Sequence, residues 1–267
     1  MCVKRGIGLS ATLLSLMASG AYAQQTAGSA PAFSNAPSQS AQRGYAGSSF
    51  GSPIAFGPKA GSAGIGVFAL AFEDQATGSH GEDSSAGISI GLGNPDKYIG
   101  LETSAAIASL THHNGDHFAS GGSFGFKLHT NLLHVAAVAL GVTSAHPWGT
   151  AKKGNSESYY LAASKVVPVR LAGSSHAVVL NIGVGNNQFT SDTKGLNSFG
   201  SLAFYFDRQF SVIVDSSGRF TNAGFSWAPF RRIPLSFTLG AFNVGGRQGL
   251  KTGIAGGAGM GFDLSRI

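Results

Sequence analysis

The sequence predicts an all-β protein, a closed antiparallel transmembrane β-barrel of about twelve strands with short periplasmic turns and longer external loops. The first observation is that Lys, Arg, Asp and Glu make up only 11% of the 267 residues, whereas a soluble domain has about 25%. The second is that segments of about ten residues alternate large apolar side chains with small ones, with turn residues between them. The third is composition: 40 Gly and 19 Phe with little Glu argue against long helices. An α-rich enzyme is therefore not expected.

The first 23 residues have the pattern of a signal peptide. Lys4 and Arg5 precede a short apolar run over 7–18, and Ala21-Tyr22-Ala23 supplies a small-x-small cleavage site. The run is too short for a spanning helix, which needs about 20 residues, although a retained anchor is the alternative. We expect cleavage after Ala23 and export to the outer membrane. The single cysteine, Cys2, would be removed, so no disulfide or thiol site is expected.

Residues 24–60 differ in composition from the rest of the chain. They are rich in Gln, Ser, Ala, Pro and Gly and contain few apolar residues to offset the entropy of ordering. The sequence therefore predicts a flexible periplasmic N-terminal segment here, with room for a periplasmic partner, and a barrel over residues 61–267.

Period-two alternation identifies the strands. In the clearest case Leu180 and Ile182 lie on one face, and Asn181 and Gly183 lie on the other. The same pattern predicts strands near 62–73, 85–93, 98–110, 118–130, 133–145, 157–167, 176–186, 198–207, 209–215, 219–228, 233–244 and 253–264. An even count is typical of a bacterial barrel formed by one chain.

The two faces of these strands differ in size, which indicates their orientation. One face carries Leu, Ile, Val and Phe, and the other is mostly Gly, Ala and Ser. A soluble sandwich with the large side chains inside would have an outer surface nearly free of Lys and Glu. If the large side chains face lipid instead, the small ones line a lumen and the scarcity of charge is explained. We therefore expect the second arrangement.

Connection lengths agree with this orientation. Starting from a periplasmic N-terminus, five of the six connections expected outside are long, and 216–218 is the exception. Those expected on the periplasmic side are mostly tight, with 168–175 as the exception. Aromatic residues near strand ends add a weaker indication of interfacial girdles; they are Tyr98, Trp148, Trp227 and Phe230.

Strand parity selects the candidate pore-lining residues. Those on the small-residue face are Glu102, Lys127, His129, Asn181, Tyr205, Asp207, Asp215, Asn222 and Asp263. Lys165 is added because a lysine on the lipid face near the midplane would cost about 2 to 4 kcal/mol. These groups either bias permeation or form internal ion pairs that stiffen the wall, and the sequence leaves both roles open.

Motifs for catalysis, metals or nucleic acids are weak. The G-x-S-x-G pattern occurs at 47–51 and 121–125, but neither copy lies between a strand and a helix as a nucleophile elbow requires. A cluster of possible ligands, His112, His113, Asp116 and His117, lies in one external loop, with His80, Glu82 and Asp83 in a neighbouring one; metal binding by these loops stays open. The cations form no basic stripe. We expect no enzyme activity, no cofactor and no nucleic-acid partner.

Several short motifs resemble a known group of proteins. They are Ser52-Pro53-Ile54-Ala55-Phe56-Gly57, Gly125-Phe126-Lys127-Leu128-His129, Phe199-Gly200-Ser201-Leu202, and the run from Asn222 to Arg231. Together they resemble largely uncharacterised outer-membrane barrel proteins that are best represented in cyanobacteria. The stretch from Gly218 onward is also similar to repeats in outer-membrane proteins associated with exopolysaccharide production. The resemblance implies a barrel and the outer membrane but no activity.

The sequence thus leads to two expectations for function. The first is a passive outer-membrane pore for small hydrophilic solutes, embedded among outer-membrane lipid and lipopolysaccharide, with a water-filled lumen. The second is a non-conducting structural or assembly barrel linked to surface polysaccharide, which is favoured if residues 24–60 plug the lumen or bind a periplasmic partner.

Overall fold

The computed structural model describes residues 45–108, 110, 118–132, 135–153, 156–190 and 195–264. Within them, twelve antiparallel strands close into a barrel in which every strand pairs with its sequence neighbours and β1 pairs with β12. The predicted fold class is confirmed. The strands are β1 Ser62–Glu73, β2 His80–Gly93, β3 Gly100–Ala108, β4 Gly121–Leu132, β5 Ala136–Gly149, β6 Ser158–Leu171, β7 Ser174–Asn186, β8 Leu196–Tyr205, β9 Phe210–Ser216, β10 Thr221–Trp227, β11 Leu235–Phe242 and β12 Gly253–Asp263.

Large apolar side chains cover the outside of the barrel. Along β7, Leu180 is 42% and Ile182 67% exposed, whereas the inward-facing Val179 is 7% exposed. Leu202 and Phe237 on other strands are also exposed. Such a surface is typical of strands that face hydrocarbon. No helix in the described part of the chain is long and apolar enough to cross a bilayer.

The two ends of the barrel differ in the length of their connections. We call the end where β1 begins and β12 ends the base, and the opposite end the top. At the base, β6 and β7 are joined by the two-residue turn Ala172-Gly173, whose φ angles are 49° and 83°. Two short 3-10 helices, Thr150–Lys153 and Asn187–Phe189, lie in connections at the top.

Several strand boundaries differ from the sequence prediction: β2 begins at His80 and not near 85, and β5 ends at Gly149 and not near 145. The stretch 168–175, expected to be a long base connection, consists mostly of strand: β6 continues to Leu171 and β7 begins at Ser174. Pro168 suggested a loop because proline cannot donate to a sheet ladder. Here β5 begins at Ala136, opposite Lys165, so the β5 side of Pro168 has no strand that needs its missing N–H. The β6–β7 hairpin therefore projects beyond its neighbour at the base.

The lumen is occupied by the chain itself. Residues 45–60, which we call the lumen segment, start at the base, where Ala46 N donates to Arg208 O at 2.9 Å. They extend to Asp215 near the top of β9 and return to the base, where Ala60 N donates to Gly93 O at 2.8 Å. These residues belong to the stretch for which the sequence predicts a flexible segment. The structure instead buries residues 46–50 and 52–57 inside the barrel, with Ala46 and Ala55 completely buried.

Three apolar clusters join the lumen segment to the wall. Phe50 packs with a cluster towards the top that contains Leu70, Phe72, Phe220, Phe242, Leu250 and Ala255. Ile54, Ala55 and Phe56 pack with Ala137, Ala139, Tyr160, Ala162, Phe189 and Phe199. Ala46 packs with Val179, Ala203, Tyr205 and Ile213 near the base. The hydrophobic core of this barrel therefore lies inside it, between the wall and the lumen segment.

Candidate functional site: the occupied lumen

Asp215 on β9 holds the turn of the lumen segment. Its Oδ2 accepts hydrogen bonds from Ser49 Oγ at 2.8 Å, Ser52 N at 3.1 Å and Ser52 Oγ at 2.6 Å. Phe50 N and Gly51 N also donate to the carboxylate, at 3.3 and 3.2 Å. Bonds to an ionised acceptor are about twice as strong as neutral ones. Because Asp215 is only 1% exposed, this arrangement strongly favours a fixed position for residues 49–52.

A second anchor comes from β6 and β7. Asn181 Nδ2 donates to Pro53 O at 2.8 Å, and Ala55 N donates to Ser164 Oγ at 2.8 Å. Ser164 Oγ in turn donates to Asn181 Oδ1 at 2.8 Å. The two wall residues thus orient each other, and each satisfies one backbone group of the lumen segment.

A buried ion pair forms the third anchor. Lys127 Nζ on β4 lies 2.6 Å from Glu102 Oε2 on β3, and the two residues face each other in the strand register. The same ammonium donates to Phe56 O at 2.8 Å and Ile54 O at 3.4 Å. A buried charge is tolerated when it is paired and hydrogen-bonded. The ion pair consequently depends on the segment as well as on the wall.

Small polar residues near the base bind the start of the segment. Tyr205 Oη donates to Ala46 O at 2.9 Å, Ser211 Oγ donates to Gly47 O at 2.6 Å, and Gly47 N donates to Ser226 Oγ at 2.7 Å. Ser201 Oγ donates to Ser48 O at 3.1 Å. Backbone groups removed from water need such partners. The serines of the inner face therefore take the place of water for the lumen segment.

Glycines on the inner face make room for the segment. A Cβ on Gly224 would lie 2.8 Å from Phe50 Cε2, as well as close to the neighbouring strand. A Cβ on Gly91 would collide with the backbone at Pro58 and Lys59. On the segment itself, a Cβ on Gly57 would collide with the His129 imidazole. The small residues of the inner face predict a water-filled lumen. In the structure they instead leave room for the backbone of the lumen segment, which packs against them.

Seven of the ten candidate pore-lining residues lie buried on the inner face: Glu102, Lys127, His129, Asn181, Tyr205, Asp215 and Asn222. Among these, Lys127, Asn181, Tyr205 and Asp215 bind the lumen segment directly. Asp263 is partly buried at the base end of β12. Asp207 is exposed in the base turn between β8 and β9, where its Oδ1 accepts from Gln209 N and Phe210 N.

Lys165 requires a correction. The cost of a charge in lipid predicts a lumen position for this residue, but the structure places it exposed on the outer face, between the inward-facing Ser164 and Val166. Its register partner on β7 is Leu180, and its partner on β5 is the first residue of that strand, Ala136. The alternation of β6 is uninterrupted, so parity decides the orientation. Near the end of a barrel, a long lysine side chain can extend its ammonium group to water, which lowers the free-energy cost of an outward position.

The sequence leaves open that residues 24–60 plug the lumen, but it does not indicate which of them do. Phe50, Ile54 and Phe56 are spaced through a stretch of Gly, Ser and Pro, and they were too few to indicate an ordered element. The available signal was the set of charged and amide groups that parity placed inside the barrel. Buried polar groups need partners, and Asp215 finds them in the segment.

The sequence motifs have structural roles or lie outside the described residues. Ser49, the central residue of the G-x-S-x-G pattern at 47–51, bonds directly to Asp215 with no imidazole between them, and the copy at 121–125 lies within β4. The cluster of His112, His113, Asp116 and His117 and the signal peptide over 1–23 lie outside the described residues. Among the residues that are described, no group of three His, Cys, Asp or Glu is arranged to hold a metal ion.

No protein-family model matches the chain, and no curated protein matches it.

Proposed function

We propose that this protein is an outer-membrane barrel that is closed to solutes in its resting state, with residues 45–60 as the closing element. A single observation carries the proposal: the backbone between Ala46 and Phe56 is bound by wall side chains at Tyr205, Asp215, Asn181 and Lys127. A loosely inserted peptide would not engage the wall along its whole length. The outward apolar surface supports a membrane location.

The energetics favour retention of the segment. Hydrogen bonds to charged groups contribute about 1.5 to 3 kcal/mol each, and Asp215 and Lys127 provide several. Full burial of a large apolar side chain contributes about 1.5 to 3 kcal/mol, and Phe50 and Ile54 are 2% and 1% exposed. These gains offset the entropy of ordering a Gly- and Ser-rich stretch. Passage of solutes through this part of the lumen requires the segment to leave.

A specific observation supports the passive pore as a second candidate. On the adjacent strands β1 and β12, the inward-facing Gly64, Gly257 and Gly259 are only partly buried, and a Cβ on Gly259 would have no neighbouring atom closer than 3.9 Å. None of the wall side chains that hydrogen-bond to the segment, as described above, lies on these two strands. Under the pore hypothesis, small hydrophilic solutes pass along this side while the segment stays in place.

The expected role of the closed form is structural or in assembly. The resemblance to outer-membrane proteins associated with exopolysaccharide production suggests a link to surface polysaccharide. A chromosomal deletion, complemented by the intact gene, tests this through the amount of polysaccharide on the cell surface. An unchanged amount would remove the link while leaving the closed barrel untouched.

Planar-bilayer recording separates closure from permeation. We expect the full chain to give no stepwise conductance and a variant lacking residues 45–58 to give stable open steps. An equally long deletion over 27–40 is the matched control and should behave like the full chain. Steps of equal size from the full chain and from the 45–58 deletion would support the pore hypothesis and contradict closure by the segment.

A further inference from the structure

A cavity opens at the base of the barrel between the lumen segment and the wall. Its volume is about 520 Å³, within the range of about 300 to 1,000 Å³ typical of small-molecule sites. Ile54 and Phe56 from the segment and Val166 and Val179 from β6 and β7 line it. The mouth of a β-barrel is also a recurrent location for such sites.

The lining changes from apolar inside to polar at the mouth. Arg208 and Asp207 belong to the exposed β8–β9 turn, and His176 lies on the projecting β6–β7 hairpin. Asp207 uses Oδ1 to bind two backbone N–H groups of its own turn, and His176 Nδ1 lies 2.9 Å from Phe206 O. The Arg208 guanidinium lies 5.7 Å from the centre of the Tyr45 ring, and no described carboxylate is within ion-pair distance of it.

We propose that this cavity binds a single-chain carboxylate amphiphile, a medium-chain fatty acid, with the chain against Val166, Val179 and Ile54 and the carboxylate at Arg208. An arginine at the open end favours a planar carboxylate, with which it forms paired hydrogen bonds. The lining of β7 runs from Ser175 to Val179, a length of about 13 Å at 3.3 Å per residue. An extended medium-length acyl chain fits a cavity of this length.

Binding is coupled to the position of the lumen segment. The cavity is lined by Ile54 and Phe56 of the segment and by Val166 and Val179 of the wall. A ligand that contacts both therefore favours the form in which the segment is in place, as any ligand favours the state that binds it. The inference rests on the proposed function only in requiring that the segment occupy the lumen.

Photolabelling tests the site in the full chain. The protein in lipid nanodiscs is irradiated with a diazirine derivative of decanoate, and the labelled peptides are identified by mass spectrometry. We expect labelling of peptides containing residues 54–56 and 176–179, with decanoate competing at least tenfold better than decanol. Labelling confined to peptides without lining residues, such as the one that contains the outward Leu140 on β5, or equal competition by the two compounds, would overturn the proposal.

Two substitutions separate the site from partition into lipid. Arg208→Gln lies in an exposed turn and should weaken competition by decanoate about tenfold, since an ionic hydrogen bond is lost, with little change for decanol. Val179→Trp should abolish labelling of 54–56, whereas the outward control Leu180→Trp should keep it. Unchanged competition in Arg208→Gln refutes carboxylate recognition even if Val179→Trp fails to fold. Labelling does not depend on conductance, so its failure is distinguishable from failure of the closed-barrel proposal.

Discussion

Replacing Asp215 by Asn should release the lumen segment without removing a side chain. In the best orientation of the amide, its oxygen keeps the position of Oδ2 and the bonds from Ser49 and Ser52. Its NH₂ then faces Gly51 N and Asn222 Nδ2, which donate to Oδ1 in the native protein at 3.2 and 3.3 Å. An unsatisfied buried donor costs about 1 to 3 kcal/mol. Two such donors weaken anchoring by about 2 to 6 kcal/mol, and each 1.4 kcal/mol is a factor of ten.

A single-cysteine reporter measures this change. Ala55→Cys places a thiol at a completely buried position of the segment, and Cys2 lies in the stretch that we expect to be removed. A membrane-impermeant maleimide should label Ala55→Cys only when the segment leaves the lumen. If opening is fast relative to labelling, the rate follows the open population, so Asp215→Asn should raise it at least about 30-fold.

The control is Asp207→Asn, a matched substitution in the exposed base turn, which should leave the labelling rate within about twofold, since surface changes have small effects. Equal labelling rates for Asp215→Asn and the native residue would show that the carboxylate does not hold the segment, and the magnitude derived from its hydrogen bonds would then be wrong.

Three further substitutions test the lumen and the outer face by urea unfolding in lipid vesicles. Lys127→Met should lower the free energy of unfolding by about 3 to 5 kcal/mol because Glu102 loses its partner. Adding Glu102→Gln should restore part of that free energy. An equal or greater loss in the double variant contradicts a role for the pair. Gly57→Ala should lower the free energy of unfolding by about 1 to 3 kcal/mol because the added methyl group collides with His129. In a background that carries His129→Ala, the same substitution should cost less. If the effects of the two substitutions simply add, the contact is refuted. Leu140→Arg, on the outer face of β5 and four residues further from the base than the partner of Lys165, should lower the free energy of unfolding by about 2 to 4 kcal/mol if this level meets the bilayer midplane. No loss would place the residue outside lipid.

Local sequence pattern determined the wall of the barrel. In a strand, successive side chains point to opposite faces, so the alternation of Leu180, Asn181 and Ile182 specifies both the strand and its two faces. Gly, Asn and Asp residues in the turns separate one alternating segment from the next. Counting these segments predicts the twelve strands that the structure contains. The same parity places Lys165 outside, and the assignment to the lumen failed because an energetic argument about the midplane was applied to a residue near the base.

Only the tertiary structure decided what fills the lumen. Residues 45–60 have no periodic pattern, because their backbone is bound by side chains from distant strands and not by a repeating partner of its own. Asp215 lies 163 residues along the chain from Ser52, and no local propensity encodes such a contact. Small inner side chains suit either water or an enclosed backbone equally well. Closure of the barrel brings Asp215, Asn181 and Lys127 around the segment, and that arrangement exists only in three dimensions.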